Sequence, residues 1–454
     1  MKKTIDRTML YNWWVVTLLM LAGLVSFVDR QIIALLVEPM KNDLHLTDTE
    51  VGWLYTGFAI FYAMAGIPIA WLADRKNRKL ILSAGLSLWT LFTMCGGVVN
   101  HFWSLFLVRV GVGVGEATLT PVAHSIIGDV MPKKQLPLAI VIFQGGAILG
   151  TGLAFIFGGF VVSQVRHAAP IDIPVIGTIF AWQASFFLVA CPGILVLFLL
   201  LTIREPLRNH GSVSQAGSSV KTSLHAFYRV NCKAILCHHS GFASLILMGN
   251  AFVFWTPSFF ERSHNVLAED AAIVYGLIFL VFGPMGTLLS AFFAQKRMAL
   301  GNYGSLSSIA AMGAAGLVMS VALLQTAESA FFAYLLYVPA IFFLNIPFGL
   351  SFAALPVIAP PDVRARVVAV YMLVASAGTA LGPLITGWVT DSFFTSDDGL
   401  MRSLMFLTLF FGTLGISLLI YGRSAYAESV SRVTQESSLA DGGSRLELQD
   451  QASR

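Results

Sequence analysis

Two pairs of charged residues lie inside apolar stretches of this sequence. Asp29 and Arg30 are neighbours within residues 13–37, and Arg109 and Glu116 lie seven residues apart in a later stretch. A charge near the centre of a bilayer costs about 2.5–3.5 kcal/mol on insertion scales, so intramembrane charges are rare and mark functional sites. A spacing of seven residues puts Arg109 and Glu116 on one face of a helix. These four side chains are therefore the candidate site.

Reversible proton binding is the chemistry that these residues suggest. Burial and a nearby arginine act in opposite directions on the proton affinity of a carboxyl group, so a movement that separates acid from base loads or releases a proton. We predict that Asp29 and Glu116 carry protons and that Arg30 and Arg109 set the proton affinities of these two acids. Arg30 could equally anchor a substrate, and His124 could titrate near neutral pH. Alternatively, the charges form static ion pairs that only fix the register of the helices.

The composition predicts an integral membrane protein. Of the 454 residues, 56% are hydrophobic and 11% are charged, whereas soluble proteins have about 25% charged residues. Apolar runs of about 20 residues, the length of a helix that spans a bilayer, recur along the chain. The predicted fold is therefore all-α, with twelve transmembrane helices in two six-helix bundles. The predicted spans are residues 13–37, 50–73, 80–99, 102–128, 137–162, 181–203, 234–258, 271–293, 303–324, 329–352, 367–390 and 403–422.

Polar segments divide the chain and orient it. We predict an N-terminal bundle at 13–203, a cytoplasmic central loop at 204–233, a C-terminal bundle at 234–422 and a disordered cytoplasmic tail at 423–454. A short amphipathic helix is expected near 223–228. Most of the 28 Lys and Arg residues lie in the termini and in alternate loops, which predicts cytoplasmic termini in the inner (plasma) membrane. The net charge of +4 is scattered over short loops, so nucleic-acid binding is not predicted.

Glycines recur at similar places in the fifth and eleventh spans. Small residues three or four positions apart let helix backbones approach closely, which is the simplest interpretation. The same positions in each half would also form the interface at which two bundles rock against each other. The glycines are Gly146, Gly150, Gly152, Gly158 and Gly159 in the fifth span and Gly378, Gly382 and Gly387 in the eleventh.

The loop after the second span carries a recognisable motif. Residues 72–79 read LADRKNRK, which resembles the cytoplasmic loop signature G-x-L-A-D-R-x-G-R-K of the major facilitator superfamily. The sequence departs from that signature at Ala70 and at Asn77, where the family usually has glycine. Asn tolerates a left-handed turn better than most residues, so the second change is mild. The arginine motif Arg109-Val-Gly-Val-Gly113 resembles another superfamily signature, and together these motifs imply a transporter fold.

This loop also suggests a gate at the cytoplasmic side. Asp74 can accept hydrogen bonds from the N–H groups at the start of a neighbouring helix. Arg75 and Arg78 can pair with Asp129 at the end of the fourth span. Such pairs would hold the inner side closed while the cavity faces outward. The alternative is that they are ordinary loop charges that obey the orientation rule.

Further segments narrow the resemblance. The runs FVDRQI at 27–32, Glu38-Pro39 and GVGEA at 113–117 are similar to the spinster family, whose animal members export sphingosine-1-phosphate or lysophospholipids. The resemblance implies a carrier with a small amphiphilic or lipid substrate that works by alternating access. Carriers of small organic anions or drugs, and an uncoupled lipid scramblase or facilitator, remain the alternatives.

The second half of the chain bears on the cargo. The interiors of spans seven to twelve contain no Asp, Glu, Lys or Arg and are rich in aromatic residues. The predicted cavity residues are Asn250, Asn345, Phe254 and Tyr371, although each aromatic residue could instead be ordinary packing. A cavity with one charged wall and one apolar wall suits an amphiphile that has an anionic or zwitterionic head and a long tail.

Other kinds of site are not supported by the residue patterns. Cys232, Cys237, His238 and His239 have a spacing that fits no common zinc site, so no metal is predicted. The glycines that start at Gly111 lie inside an apolar helix without the strand that a nucleotide-binding loop requires. No nucleophile–base constellation is apparent, so an enzyme and a cofactor are not predicted. The expected partners are the substrate, protons and membrane lipid, and the expected state is a monomer.

Overall fold

The predicted twelve spans are confirmed in the computed structural model, which describes residues 7–167, 169–173, 177–206, 223–396 and 398–452. The chain is a multi-pass membrane protein whose described elements are helices apart from one short hairpin. The helices are α1 (Arg7–Leu35), α2 (Val37–Leu44), α3 (Asp48–Ala73), α4 (Arg78–Cys95), α5 (Phe102–Glu116), α6 (Leu119–Val130), α7 (Leu136–Val165), α8 (Ala181–Leu200), α9 (Leu224–Val230), α10 (Cys232–His264), α11 (Ala268–Ala299), α12 (Ser305–Leu324), α13 (Ala330–Ala353), α14 (Leu355–Ile358), α15 (Pro361–Phe393) and α16 (Gly399–Ala452). Strands β1 (Ile171–Ile173) and β2 (Gly177–Ile179) pair antiparallel between α7 and α8.

The fourth span is broken in its middle. α5 ends at Glu116 and α6 begins at Leu119, so this carboxylate lies at a helix end inside the protein. The Thr118 hydroxyl donates to the carbonyl of Gly115 at 2.8 Å, which satisfies one of the acceptors that the break exposes. The break therefore positions a candidate site residue without leaving that carbonyl unpaired.

The helices form two sets that meet along two seams. In the N-terminal half, α1 packs on α7, α3 on α5, and α4 on α5 and α8. In the C-terminal half, α10 packs on α15 and α16, α11 on α13, and α12 on α13 and α16. The halves join where α3 packs on α15 and where α7 packs on α11. This is the arrangement of two six-helix bundles that the sequence predicted.

The recurring glycines serve two kinds of contact in each half. On α7, Gly146, Gly150 and Gly158 face α1, whereas a Cβ at Gly152 would lie 2.8 Å from the carbonyl oxygen of Gly276 on α11. On α15, Gly378 and Gly382 face α10, whereas a Cβ at Gly387 would lie 2.2 Å from the carbonyl oxygen of Asp48 on α3. The glycines thus permit close packing within a half and also across both seams.

The two ends of the helix bundle differ in their polar residues. We call one end, which carries Glu38, Asp48 and Arg262, the Arg262 end. The opposite end, where Arg78 starts α4, is the Arg78 end. The basic residues predict that the Arg78 end faces the cytoplasm.

The chain after the last span differs from its prediction. The tail expected to be disordered from residue 423 is described as a continuation of α16 to Ala452. Tyr426 is buried and its hydroxyl donates to the carbonyl of Ala354 at 2.8 Å, and Val430 is buried nearby. Apolar side chains at a spacing of four share one helix face, so the tail packs for two further turns. The sequence lacks proline, the strongest helix breaker, from Gly399 onward.

Part of the predicted central loop is helical. The short helix expected near 223–228 is present as α9, and its Phe227 side chain is buried. The rest of that loop, residues 207–222, lies outside the described residues, as do residues 453–454 of the tail.

Candidate functional site

Glu116 is held by two side chains of α1. It is fully buried, and its Oε2 atom accepts hydrogen bonds from the Arg30 Nε at 2.7 Å and from the Ser26 hydroxyl at 2.6 Å. Ser26 lies one helical turn before Arg30, so both reach the same carboxylate from one face of the helix. The sequence analysis missed Ser26, although its position four residues before Arg30 was the available signal.

Arg30 is the accessible member of the four charged residues. Its side chain is 23% exposed, whereas the Glu116 side chain is fully buried. The guanidinium lies 4.5 Å from the ring centroid of Tyr62, 5.3 Å from that of Phe58 and 5.4 Å from that of Phe27. Aromatic faces attract a cation, so these three rings and Glu116 fix the position of a charge that is still partly exposed.

Arg109 and Asp29 lie side by side and are both buried. The Arg109 guanidinium donates to the backbone carbonyl of Asp29 at 3.2 Å and lies 4.9 Å from the Phe58 centroid. Phe58 therefore contacts both guanidinium groups of the site. Within the described residues, Arg109 Nε and Nη2, Asp29 Oδ1 and Glu116 Oε1 are buried without a hydrogen-bond partner. Such atoms are costly unless a proton or a ligand satisfies them, so the site has unused binding capacity.

Two of the predicted cavity residues join the halves beside this site. The Tyr55 hydroxyl of α3 donates to Asn250 Oδ1 of α10 at 3.3 Å. Phe254, one turn further along α10, packs edge-on against the Tyr55 ring at 5.1 Å between centroids and is fully buried. The structure thus brings Asn250 and Phe254 to the N-terminal half, next to the helices that carry the charges.

The other two predicted cavity residues lie elsewhere in the C-terminal half. Asn345 donates to the carbonyl of Ile341 at 2.9 Å and faces the glycines Gly283 and Gly286 of α11. Tyr371 is buried with its ring 5.1 Å and 5.3 Å from the rings of His238 and His239. A role in substrate binding remains a prediction for all four residues.

The adjacent histidines form a hydrogen-bonded chain. His238 Nε2 lies 3.1 Å from the carbonyl oxygen of Ser351, which can only accept, so that nitrogen carries the hydrogen. In a neutral ring His238 Nδ1 then accepts from His239 Nδ1 at 3.2 Å. His239 Nε2 remains as an acceptor 3.5 Å from the Tyr228 hydroxyl of α9. These nitrogens therefore link α9, α10 and α13, which explains the pair without a metal.

At the Arg78 end, Arg78 connects several parts of the N-terminal half. It is buried, pairs with Asp129, and its Nε lies 3.0 Å from Glu205 Oε1. It also donates to the carbonyl of Pro206 at 2.9 Å. Glu205 was missed by the sequence analysis, and it additionally accepts from the backbone N–H of Lys79 at 2.8 Å. These partners all belong to the same half, so the contacts of Arg78 brace that half.

The remaining motif residues have other positions. Arg75 is exposed and its guanidinium lies 4.1 Å from the Trp71 ring centroid, and Asp74 is exposed beside it. Asn77 has an ordinary φ of −61°, and its side chain accepts from the Leu80 N–H at 2.8 Å. Asn77 therefore does not use the left-handed conformation that asparagine tolerates, and it acts instead as the N-cap of α4. The gating role of the motif remains a prediction.

Comparisons with known proteins agree with this fold. A sequence model described as Major Facilitator Superfamily matches residues 19–360. The protein spinster of Drosophila melanogaster is 26% identical over 417 residues, which cover 87% of this chain and 65%, slightly under two thirds, of that protein. An MFS-type efflux pump of Mycolicibacterium smegmatis is 27% identical over 411 residues, covering 87% of this chain and 89% of the pump.

A solved structure shows the same arrangement. The crystal structure of a bacterial homolog of the human lysosomal transporter spinster, in an inward-facing and unoccupied conformation, gives a TM-score of 0.79 at 26% identity. The match covers 92% of this chain and 98% of that chain.

Proposed function

Since the chain belongs to the major facilitator superfamily of membrane transporters, we propose that it moves its cargo by alternating access and couples this movement to protons. The observation that carries the proposal is the buried carboxylate of Glu116, held by Arg30 and Ser26 beside the second buried acid, Asp29. Acids and bases so placed exchange protons when their contacts change.

The coupling rests on the separation of Arg30 from Glu116. In the structure this pair is closed, with Arg30 Nε 2.7 Å from Glu116 Oε2. If cargo binding or rocking of the halves draws Arg30 away, the buried carboxylate takes up a proton. Asp29 and Arg109 form the second acid–base set within the same site. Static ion pairs are the competing interpretation, and they predict no effect of a proton gradient.

The proposed cargo is an amphiphilic lipid such as a lysophospholipid or sphingolipid. Arg30, whose side chain is partly exposed, and the nitrogens of Arg109 that have no partner among the described residues suit an anionic or zwitterionic head group. Across from them, α10 presents Phe254 and the single amide of Asn250. The resemblance of residues 27–32 and 113–117 to the spinster family, whose animal members export sphingosine-1-phosphate or lysophospholipids, supports the same class of cargo.

We further propose a monomer in the inner (plasma) membrane with both termini in the cytoplasm. The distribution of Lys and Arg among the loops supports this orientation. The four charges of the site come from α1 and α5 of one chain, so one copy suffices to build it.

The experiment uses purified protein in liposomes with an imposed pH gradient and a fluorescent lysophospholipid. The wild type should accumulate the lipid only with the gradient, and Asp29→Asn should abolish accumulation. Asp398→Asn is the matched control, because that carboxylate is exposed and lies outside the site. Equal accumulation by wild type and Asp29→Asn would contradict proton coupling through Asp29.

The alternative functions would give different results in the same liposomes. Lipid movement that needs no gradient would indicate a scramblase or facilitator. An absence of lipid movement would favour proton-coupled transport of small organic anions or drugs, which the likeness to the mycobacterial efflux pump supports.

A further inference from the structure

The Arg262 end is closed by an arginine that crosses between the halves. Arg262 of α10 donates to Glu38 Oε1 at 2.7 Å and, through two nitrogens, to both carboxylate oxygens of Asp48 at 2.7 Å each. Lys41 also pairs with Asp48. Two-pronged contacts of this kind are the strong form of the arginine–carboxylate pair. One cation of the C-terminal half is thus held by two acids of the N-terminal half.

Each seam between the halves ends in a further polar contact. At the seam of α3 and α15, Asp391 accepts from the backbone N–H of Asp48 at 3.2 Å and of Thr49 at 2.7 Å, and so caps a helix of the other half. At the seam of α7 and α11, Arg166 pairs with Glu269 at 3.1 Å. Both seams therefore have to break polar contacts when this end opens.

Glu261 has no ion-pair partner among the described residues of this cluster. Glu261 precedes Arg262, and its Oε2 is buried without a hydrogen-bond partner in the part of the chain that the structure describes. The charged groups around it come from four elements: Glu38, Glu269, Arg166 and Arg262. The whole cluster contains three bases and five acids. The bases are Lys41, Arg166 and Arg262, and the acids are Glu38, Asp48, Glu261, Glu269 and Asp391.

We propose that this cluster is a proton-dependent latch, in which Glu261 binds a proton when the Arg262 end closes and releases it when that end opens. An ionised Glu261 in the closed cluster would repel Glu38 and Glu269 and would compete for their partners, Arg262 and Arg166. A protonated Glu261 removes this repulsion and leaves both bridging pairs intact. The inference rests on the proposed alternating access, and it adds a proton-binding residue outside the Asp29 and Glu116 site.

The latch is tested with a reporter cysteine at the seam. Thr56 of α3 is fully buried, and its hydroxyl donates to the carbonyl of Ala380 of α15 at 2.7 Å. Thr56→Cys, in a chain whose four native cysteines are replaced, reports opening by its reaction with a hydrophilic maleimide. Arg262→Ala should raise the labelling rate at least about tenfold, because it breaks two bridging pairs at once.

The matched control for this substitution is Arg402→Ala. Within the described residues, the Arg402 guanidinium pairs with Asp398, 3.9 Å away and one helical turn earlier, and the Arg402 side chain is 53% exposed. Its removal should leave labelling unchanged. Asp391→Asn weakens the contact between α3 and α15 in a milder way and should also raise labelling, so the proposal does not depend on one variant folding well. Unchanged labelling in both folded variants would overturn the latch.

Proton binding by Glu261 is tested by measuring the labelling rate at several pH values. Labelling rates are divided by the rate for the unfolded protein at the same pH, which removes the titration of the thiol. Wild-type labelling should rise with pH as Glu261 ionises, and Glu261→Gln should keep labelling low across the range. An identical pH profile in both proteins would overturn the role of Glu261, since His264 on the same helix could then cause it.

These measurements separate the latch from the proposed function. Labelling needs no cargo and no gradient, so a failure of lipid transport leaves its result unaffected. Conversely, gradient-driven transport could depend on Asp29 while substitutions of Arg262 and Glu261 leave the labelling rate unchanged. That pair of results would overturn only the latch.

Discussion

Ser26 is one of the two side chains that hold the carboxylate of Glu116. Its hydroxyl donates to Glu116 Oε2 at 2.6 Å, and a hydrogen bond to a charged group contributes about 1.5–3 kcal/mol. If Glu116 carries the transported proton, removing this donor changes the balance between the two states of the carboxyl group. We therefore predict that Ser26→Ala shifts the pH profile of gradient-driven transport.

The shift is measured as initial lipid uptake at several external pH values. Ser185→Ala is the matched control, because Ser185 is also fully buried but its hydroxyl has no partner among the described residues. Superimposable profiles for wild type and Ser26→Ala would mean that Glu116 does not carry the transported proton.

Substitution of Arg109 provides a second test of a single residue of the site. Two of its nitrogens are buried without a described partner, so an anionic head group would satisfy donors that are otherwise unpaired. Arg109→Ala should weaken the binding of a lysophospholipid with a phosphate head by at least about tenfold, and binding of a neutral monoacylglycerol much less. Equal losses for the two lipids in a binding titration would argue that Arg109 is structural.

The close packing of helices at the two seams depends on glycine. A Cβ at Gly152 would lie 2.8 Å from the Gly276 carbonyl oxygen, whereas a Cβ at Gly145 of the same helix has no atom within 4 Å. Overpacking costs about 1–3 kcal/mol. We therefore predict that Gly152→Ala slows transport several-fold and increases labelling of the Thr56→Cys reporter, and that Gly145→Ala does neither. Similar transport by these two variants would show that the α7–α11 seam need not close this tightly.

The sequence predicted elements better than it predicted contacts between them. Apolar length alone located all twelve spans, and an adjacent acid and base in one span led to the candidate site, whose role remains a prediction. Ser26 and Glu205 were missed, because a polar residue at a helix face or in a loop has no distinctive pattern until its partner is located. The break after Glu116 was also missed, although Gly113 and Gly115 precede it and Pro121 follows it in the first turn of α6.

The contacts of the latch could not be predicted from the sequence either, because the residues that form them lie far apart in the chain. Arg262 and Asp48 are separated by 214 residues and pair only because the two halves pack together. In the sequence they are ordinary charges at the ends of spans. The family motif at 72–79 drew attention to the opposite end, where the partners of Arg78 lie within one half.

The charged site lies within the membrane-spanning helices, so its net charge affects the transport cycle of the whole molecule. With all groups ionised, the two carboxylates and two guanidinium groups of the site sum to zero. A proton bound together with a monoanionic head group keeps this sum at zero, whereas either one alone leaves a charge in the membrane-embedded site, which is costly. We therefore predict that a monoanionic lysophospholipid and one proton move together in the same direction.

This charge balance predicts how transport responds to voltage. Moving one net charge through a potential of 100 mV is worth about 2.3 kcal/mol, so electroneutral movement of lysophosphatidylglycerol with a proton should be insensitive to a potassium–valinomycin potential. Lysophosphatidylcholine with the same acyl chain is zwitterionic, so its movement with a proton carries one positive charge and should be driven by an inside-negative potential. A strong effect of voltage on lysophosphatidylglycerol would instead show that the proton and the lipid move in opposite directions, because that exchange transfers two charges per cycle.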